Sequence, residues 1–219
     1  MCCCRPSNIF YWMSLGLLLL ASCRGTGAAG PAAGDLAREP LVDVVALAPR
    51  IRVDLTYGRA DNFTGEVLYE RPRALLRAGA ARRLARVQAR LERRGLGLVV
   101  WDAYRPLAVQ RLMWALVPDP RYVADPARGS RHNRGAAVDV SLVDFRGRPL
   151  ALPTGHDDFS ERAARDSALP DPEARRLREV LRAAMEAEGF TGISTEWWHY
   201  DAPHWEAYPV VGAAGVAGS

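Results

Sequence analysis

Two histidines and several carboxylates lie in short segments that could hold a metal ion. His132 is followed seven residues later by Asp139, with Gly135 between them, and near the C-terminus Glu196 comes three residues before His199. A catalytic zinc ion takes three protein ligands, commonly histidine and carboxylate, and leaves a fourth position for water. The metal makes water more acidic and polarises a carbonyl, while a further carboxylate carries the proton. The pattern therefore points to metal-dependent hydrolysis.

Spacing alone does not choose among the candidate ligands. His204 also lies near the C-terminus, and Asp139, Glu196 and Asp201 could each be a ligand or a base. A single histidine is more often a core or surface residue than a ligand, and a buried aspartate considered alone is more often paired with an arginine. The joint pattern favours a metal, because two histidines have carboxylates nearby in strand-like segments.

These residues need strands and loops to bring them together. Residues 136–144 alternate between an apolar face and a small polar face that contains Asp139, which predicts a strand. Further strands are predicted over 51–57, 96–104 and 193–201, and helices over 73–94, 107–117 and 172–188, the last with Asp171 as N-cap. Strands and helices do not alternate regularly. We therefore predict an α+β fold, a single domain with a central, largely antiparallel sheet and helices packed on it.

The composition suits one domain with a hydrophobic core. The chain has 219 residues, 49% of them hydrophobic, and a net charge of +4 carried mostly by arginine. Aromatic residues are not interleaved with the arginines, so no nucleic-acid partner is predicted. We expect the domain to span residues 36–210 and a loose tail to follow at 211–219.

The N-terminal segment is predicted to lie outside this domain. Residues 1–22 contain a short apolar run typical of a secretory signal, and LASC at 20–23 resembles the bacterial lipoprotein signal box. That resemblance implies cleavage before Cys23, a lipid on Cys23 that attaches the protein to a membrane, and a place in the cell envelope or periplasm. Arg24 is not the aspartate of an inner-membrane retention signal, so the outer membrane is the default. The alternative is an ordinary cleaved signal with an incidental cysteine.

Two consequences follow for the rest of the chain. Residues 23–35 are rich in glycine and alanine and are predicted to be a flexible tether. All four cysteines precede this tether or begin it, so the domain has none for a disulfide or a metal site. Any metal ligands must be His, Asp or Glu.

Several motifs resemble those of one enzyme family. SRHNRGAAVD at 130–139 fits Ser-x-His-x-x-Gly-x-Ala-x-Asp, and EWWH at 196–199 supplies Glu-x-x-His. With RVDLTYGRADNFTG, WDAYRP and HDDFSERA in the same order, they resemble the zinc D-alanyl-D-alanine dipeptidases, the family of the vancomycin-resistance dipeptidase, over residues 42–209. The resemblance implies the D-Ala-D-Ala metallopeptidase (hedgehog-like) fold, one zinc ion per chain and D-Ala-D-Ala as substrate. The His/Asp/His signature alone is shared with D,D-carboxypeptidases.

The resemblance also implies roles for the residues of the metal site. His132, Asp139 and His199 would bind zinc, and Glu196 would act first as general base and then as acid. Residues three apart face opposite sides of a regular strand. If Glu196 and His199 serve one site, Glu196 must precede the strand or lie at a bulge.

Other matched residues would contact the substrate. Arg105 would stabilise the oxyanion, and its alternative is a structural pairing with Asp102 or Asp139. Tyr57 and Ser130 would hold the ends of the dipeptide.

Asp157 would bind the free ammonium group of the dipeptide, and its alternative is a helix N-cap. His156 stands where the family usually has an apolar or aromatic residue. It could touch the substrate pocket or bind metal adventitiously.

The sequence thus predicts an exported, lipid-anchored zinc dipeptidase that acts in cell-wall peptide metabolism. One alternative is a zinc D,D-carboxypeptidase acting on peptidoglycan stem peptides, against which Asp157 argues because a carboxylate there suits a free ammonium group. The other is a non-catalytic wall-binding lipoprotein, against which Glu196 argues because binding needs no proton carrier.

Overall fold

A computed structural model describes residues 33–168 and 171–212 of the chain. The predicted signal peptide, most of the predicted tether and residues 213–219 lie outside these ranges. The first helix, α1 (Ala33–Ala37), begins inside the segment predicted to be a tether. Within the described ranges, no helix is both long and apolar enough to cross a membrane.

Two sheets form the β part of the fold. Strands β1 (Leu41–Asp43) and β3 (Leu75–Arg77) pair antiparallel in the smaller sheet. The central sheet has five strands in the order β2 (Arg52–Val53), β4 (Leu96–Asp102), β5 (Ala137–Asp144), β7 (His199–Asp201) and β6 (Thr191–Gly192). Only β2 and β4 run parallel, so the prediction of a largely antiparallel sheet is confirmed.

Helices cover the sheet and close the core. They are α2 (Val44–Leu47), α3 (Ala78–Glu92), α4 (Leu107–Leu116) and α5 (Pro172–Glu186). Helix α3 contacts β4 and α5 contacts β5. Asp171 accepts hydrogen bonds from the N–H groups of Glu173 and Ala174, so it is the N-cap of α5, as its side-chain chemistry predicts. The α+β prediction is therefore confirmed.

Several element boundaries differ from the sequence prediction. The strand predicted at 51–57 shortens to Arg52–Val53, because the chain then turns through a 3-10 helix, Thr56–Gly58. The helix predicted from residue 73 begins only at Ala78, because Leu75–Arg77 pairs with β1. The strand predicted at 193–201 is paired with β5 only over its last three residues.

Candidate active site

Three adjacent strands place Asp102, Asp139 and His199 side by side. Asp139 on β5 lies opposite Asp102 on β4 and opposite His199 on β7. A β-bulge in β4 between Val100 and Asp102 leaves Trp101 without a partner in the register and brings Asp102 opposite Asp139. The sheet register, which joins residues far apart in the chain, therefore builds the centre of the site.

His132 reaches the same place from the loop before β5. It begins a 3-10 turn, His132–Arg134, and Gly135 ends that turn with φ +66° while its N–H donates to the His132 carbonyl. A Cβ at Gly135 would collide with the side chain of Leu41. Glycine is therefore the residue that lets the chain turn from His132 directly into β5.

The side chains of His132, Asp139 and His199 converge on one small region. His132 Nε2 lies 3.2 Å from His199 Nδ1 and 3.4 Å from Asp139 Oδ1, and His199 Nδ1 lies 2.9 Å from the same oxygen. One ligand atom from each residue falls within 4.8 Å of the others, and all three residues are buried. Two imidazole nitrogens and one carboxylate oxygen form a donor set that suits catalytic zinc.

The outward nitrogens of both imidazoles are already committed. His132 Nδ1 lies 2.8 Å from the carbonyl oxygen of Ala103, and His199 Nε2 lies 3.0 Å from Asp201 Oδ1. A carbonyl and a carboxylate oxygen accept, so both of these nitrogens donate. The inward nitrogens, His132 Nε2 and His199 Nδ1, can then offer lone pairs, as partners of this kind do for metal-bound histidines. The residues fit a metal ion.

The charges at the cluster support the same interpretation. Burial alone would raise the pKa of Asp139, but His132, His156 and His199 hold it well below its usual value. Burial alone would lower the pKa of His199, yet its hydrogen bonds with Asp139 and Asp201 raise it to about 10. Positive charge thus stabilises the buried carboxylate of Asp139. A divalent cation can supply this charge, and it competes with protons for the same side chains.

Glu196 satisfies the geometric condition set by its spacing. Strand β7 begins only at His199, so Glu196 lies in the irregular segment before it, and its Oε2 is 3.8 Å from His199 Nδ1. Burial raises the pKa of the Glu196 carboxyl, and the neighbouring His199 opposes that rise. Its side chain remains 27% exposed and lines the cleft in front of the cluster. A carboxylate in this position can accept a proton and return it.

Arg105 is held in one orientation by two buried partners. Its Nε and Nη2 donate to Asp102 Oδ2 over 3.0 and 2.7 Å, and its Nη1 donates to Gln110 Oε1 over 3.0 Å. Burial alone would lower the pKa of Arg105, but Asp102 raises it well above the ordinary value. The structural partner is thus Asp102 rather than Asp139. These bonds use three of the five N–H groups, and within residues 33–168 and 171–212 the other two have no acceptor, on a side chain that lines the cleft.

Tyr57 and Asp157 form a pair elsewhere in the cleft. The Tyr57 hydroxyl donates to both carboxylate oxygens of Asp157, at 3.1 and 2.9 Å. Asp157 adopts φ +56° in a loop and caps no helix; the nearest 3-10 turn, Glu161–Ala163, has Ser160 at its cap position. The N-cap alternative for Asp157 is therefore wrong.

Ser130 and His156 have contacts that their sequence positions did not predict. The Ser130 hydroxyl accepts from the N–H of Asn133 over 3.1 Å, which braces the turn that carries His132, and the residue also lines the cleft. His156 is not among the residues that line the cleft; its Nε2 lies 3.1 Å from Asp139 Oδ2, so of the two alternatives for this residue the structure favours a place beside the metal cluster. His204 is exposed.

The site opens into one cleft of about 1060 Å³. That volume is slightly above the roughly 300–1,000 Å³ typical of small-molecule sites. The eight residues assigned to the site from the sequence all line it: Tyr57, Arg105, Ser130, His132, Asp139, Asp157, Glu196 and His199. The structure therefore brings every sequence-predicted site residue to one cavity.

Behind this cavity, sequence reasoning missed Gln110 and Asn133 and offered Asp102 only as an alternative partner of Arg105. Asp102, Gln110 and Asn133 are fully buried polar residues, and each bonds to Arg105 or to the turn that carries His132. Asp102 lies in WDAYRP and Asn133 in SRHNRG, so their nearness to matched residues was the only signal available. The sequence offered Asp201 as a possible ligand or base, whereas the structure places it as the hydrogen-bond partner of His199 Nε2.

Known proteins are similar in sequence to this chain over most of its length. The family model described as D-ala-D-ala dipeptidase matches residues 37–210. A protein of Escherichia coli (strain K12) named D-alanyl-D-alanine dipeptidase is 40% identical over 171 residues, which cover 78% of this chain and 89% of that protein. Proteins of the same name from Streptomyces coelicolor and Enterococcus faecalis are 36% and 30% identical, covering 74% and 72% of this chain and 92% and 90% of their own lengths.

Proposed function

The chain belongs to the D-Ala-D-Ala dipeptidase family of metallopeptidases, and on this basis we propose that it hydrolyses D-alanyl-D-alanine to two D-alanines with one zinc ion per chain. The protein is a peptidase, and the substrate and the metal are the parts proposed. One observation carries the proposal: His132 Nε2, Asp139 Oδ1 and His199 Nδ1 converge beside Glu196 in a cleft.

The chain supplies the remaining chemistry through its own side chains. Zinc, when bound by His132, Asp139 and His199, supplies a Lewis acid that polarises the scissile carbonyl and makes water acidic enough to attack near neutral pH. Glu196 takes the proton from the attacking water and passes it to the leaving amine. Arg105, oriented by its buried partners, donates N–H groups to the carbonyl oxygen as negative charge develops there.

Asp157 supports a dipeptide substrate over a longer peptide. Within residues 33–168 and 171–212, no arginine forms an ion pair with Asp157, and the nearest cationic side chain is His156, 3.6 Å away. The carboxylate is largely buried and accepts from Tyr57. A partly buried carboxylate with a neutral donor suits an ammonium group, which a free dipeptide carries and an acylated stem peptide lacks at the same place.

The test compares two substrates of the same protein. Purified protein is assayed for D-alanine release from D-Ala-D-Ala and from an N-acylated D-Ala-D-Ala peptide, with zinc content measured by elemental analysis. We expect one zinc per chain and a strong preference for the free dipeptide. Preference for the acylated peptide would instead favour the carboxypeptidase. Absence of hydrolysis of either substrate by the zinc-loaded protein would favour a binding protein.

We also infer that the mature protein is attached to a bacterial membrane by lipid on Cys23. The support is the LASC sequence at 20–23, which ends the apolar run of residues 9–20 in the predicted signal peptide. We expect labelled palmitate to be incorporated into the wild-type protein and not into Cys23→Ala. Fractionation of a Gram-negative host would then test the proposed outer-membrane destination, and label on Cys23→Ala would contradict the assignment.

A further inference from the structure

His156 is buried directly behind the metal cluster. Its Nε2 lies 3.1 Å from Asp139 Oδ2, and its Nδ1 lies 2.8 Å from the Thr56 hydroxyl. The side chain is 5% exposed. His156 thus faces Asp139 Oδ2, whereas His132 and His199 lie closest to Asp139 Oδ1.

Aromatic side chains hold the His156 ring in place. Trp101 stacks on it with ring centroids 5.4 Å apart and an interplanar angle of 30°, and Trp198 meets it edge-on at 5.7 Å. Trp101 is the residue that the β-bulge in β4 leaves without a strand partner. The ring is therefore fixed beside Asp139, and His156 is not among the residues that line the cleft, although its Nε2 also lies 3.6 Å from Asp157 Oδ1.

The two oxygens of Asp139 have different tasks in this arrangement. Oδ1 is 2.9 Å from His199 Nδ1 and 3.4 Å from His132 Nε2, so it faces the metal position. Oδ2 accepts from His156 Nε2. The Thr56 hydroxyl can either donate or accept, so His156 can donate through Nε2 whether its ring is neutral or charged.

We propose that His156 is a positioning residue that holds Asp139 Oδ2 away from the metal, so that Asp139 binds zinc through Oδ1 alone. This inference rests on the proposed function, because it assumes that the cluster binds zinc. A carboxylate bound through one oxygen leaves more of the coordination sphere open for water and for the substrate carbonyl. Partners of this kind commonly change metal affinity or activity by about 10–100-fold.

The test removes the hydrogen bond and keeps the packing. His156→Phe retains a flat ring against Trp101 but cannot donate, whereas His156→Gln retains an N–H donor. His204→Asn is the control, since His204 is exposed and asparagine tolerates its φ of +60°. Zinc dissociation constants are measured by chelator competition. The cobalt-substituted proteins are compared by their visible absorption spectra.

We expect His156→Phe to bind zinc about 10–100-fold more weakly and to change the cobalt spectrum. His156→Gln is expected to lie closer to the wild type, and His204→Asn to match it. Zinc affinity and cobalt spectrum unchanged in His156→Phe would overturn the inference, even if its activity fell. If His156→Phe does not fold, as judged by circular dichroism, His156→Leu provides the same comparison.

The outcome also separates this inference from the proposed function. If the wild-type protein binds no zinc, the proposed zinc site is wrong and the inference falls with it. If the wild type binds one zinc and His156→Phe binds it equally well, only the role of His156 is wrong.

Discussion

The metal side and the substrate side of the cleft are built in different ways. On the metal side, Asp139 and His199 lie opposite each other in neighbouring strands, and every ligand has a further partner behind it. On the substrate side, Tyr57 lies in a 3-10 turn and Asp157 in a loop at positive φ. Backbone pairing fixes the first set, whereas side-chain contacts between loops fix the second. We therefore expect a mutation on one side of the cleft to leave the function of the other side intact.

Glu196→Gln should separate chemistry from metal binding most strongly. Loss of a general base typically costs about 10²–10⁴-fold in rate, so we expect kcat to fall by that range while zinc stays bound. The measurement is D-alanine release with zinc content determined on the same sample. Glu206→Gln, at an exposed position, is the control. Loss of zinc from Glu196→Gln would show that Glu196 belongs to the metal side instead.

Asp157→Asn should damage the substrate side alone. A hydrogen bond to a charged group contributes about 1.5–3 kcal/mol, so kcat/KM on D-Ala-D-Ala should fall roughly 10- to 100-fold. Zinc affinity should not change. The neighbouring Asp158→Asn is the matched control, because Asp158 also lines the cleft but accepts from the N–H of Ser160. An equal effect of both variants would argue against a specific ammonium site at Asp157.

Asp201→Asn should affect the metal side, although Asp201 also pairs with Arg131, which lines the cleft. Asp201 accepts from His199 Nε2, and loss of its charge should weaken zinc binding by about 10-fold, at the low end of the range for such partners. Chelator competition measures this change, and the exposed Asp166→Asn serves as control. Unchanged zinc affinity would mean that the strand register alone orients His199.

Gly135→Ala should give the smallest effect of the four variants, and that effect should be a loss of folding stability. An alanine at φ +66° costs roughly 1–2 kcal/mol, and its Cβ would also collide with Leu41. Gly147→Ala is the matched control, because φ there is +77° but nothing lies near the added Cβ. Denaturant unfolding should show a larger loss of stability for Gly135→Ala. Equal losses would show that Leu41 simply moves aside.

The same contrast explains what the sequence could predict. Types and spacing marked His132, Asp139, Glu196 and His199 as candidates, because the chain has only four histidines and two of them have carboxylates nearby in strand-like segments. They did not choose among the alternatives, since the pairing of Asp139 with His199 depends on the order of strands in the sheet. The family resemblance supplied that choice, and the geometry agrees with it.

Features that depend on contacts between distant segments escaped prediction. The 51–57 strand was wrong because Tyr57 turns toward Asp157, a hundred residues away, rather than pairing in the sheet. The β-bulge at Trp101 and the contact of His156 with Asp139 leave no local pattern in the sequence. Residue types thus identified the chemistry, whereas long-range packing determined its geometry.

The most direct test of the account is zinc content measured together with D-Ala-D-Ala hydrolysis, in the wild type and in His199→Ala. The account predicts one zinc per chain and active hydrolysis in the wild type, with both lost in a folded His199→Ala protein. Hydrolysis that persists at the wild-type rate in His199→Ala, or in the wild type after zinc is removed, would contradict it.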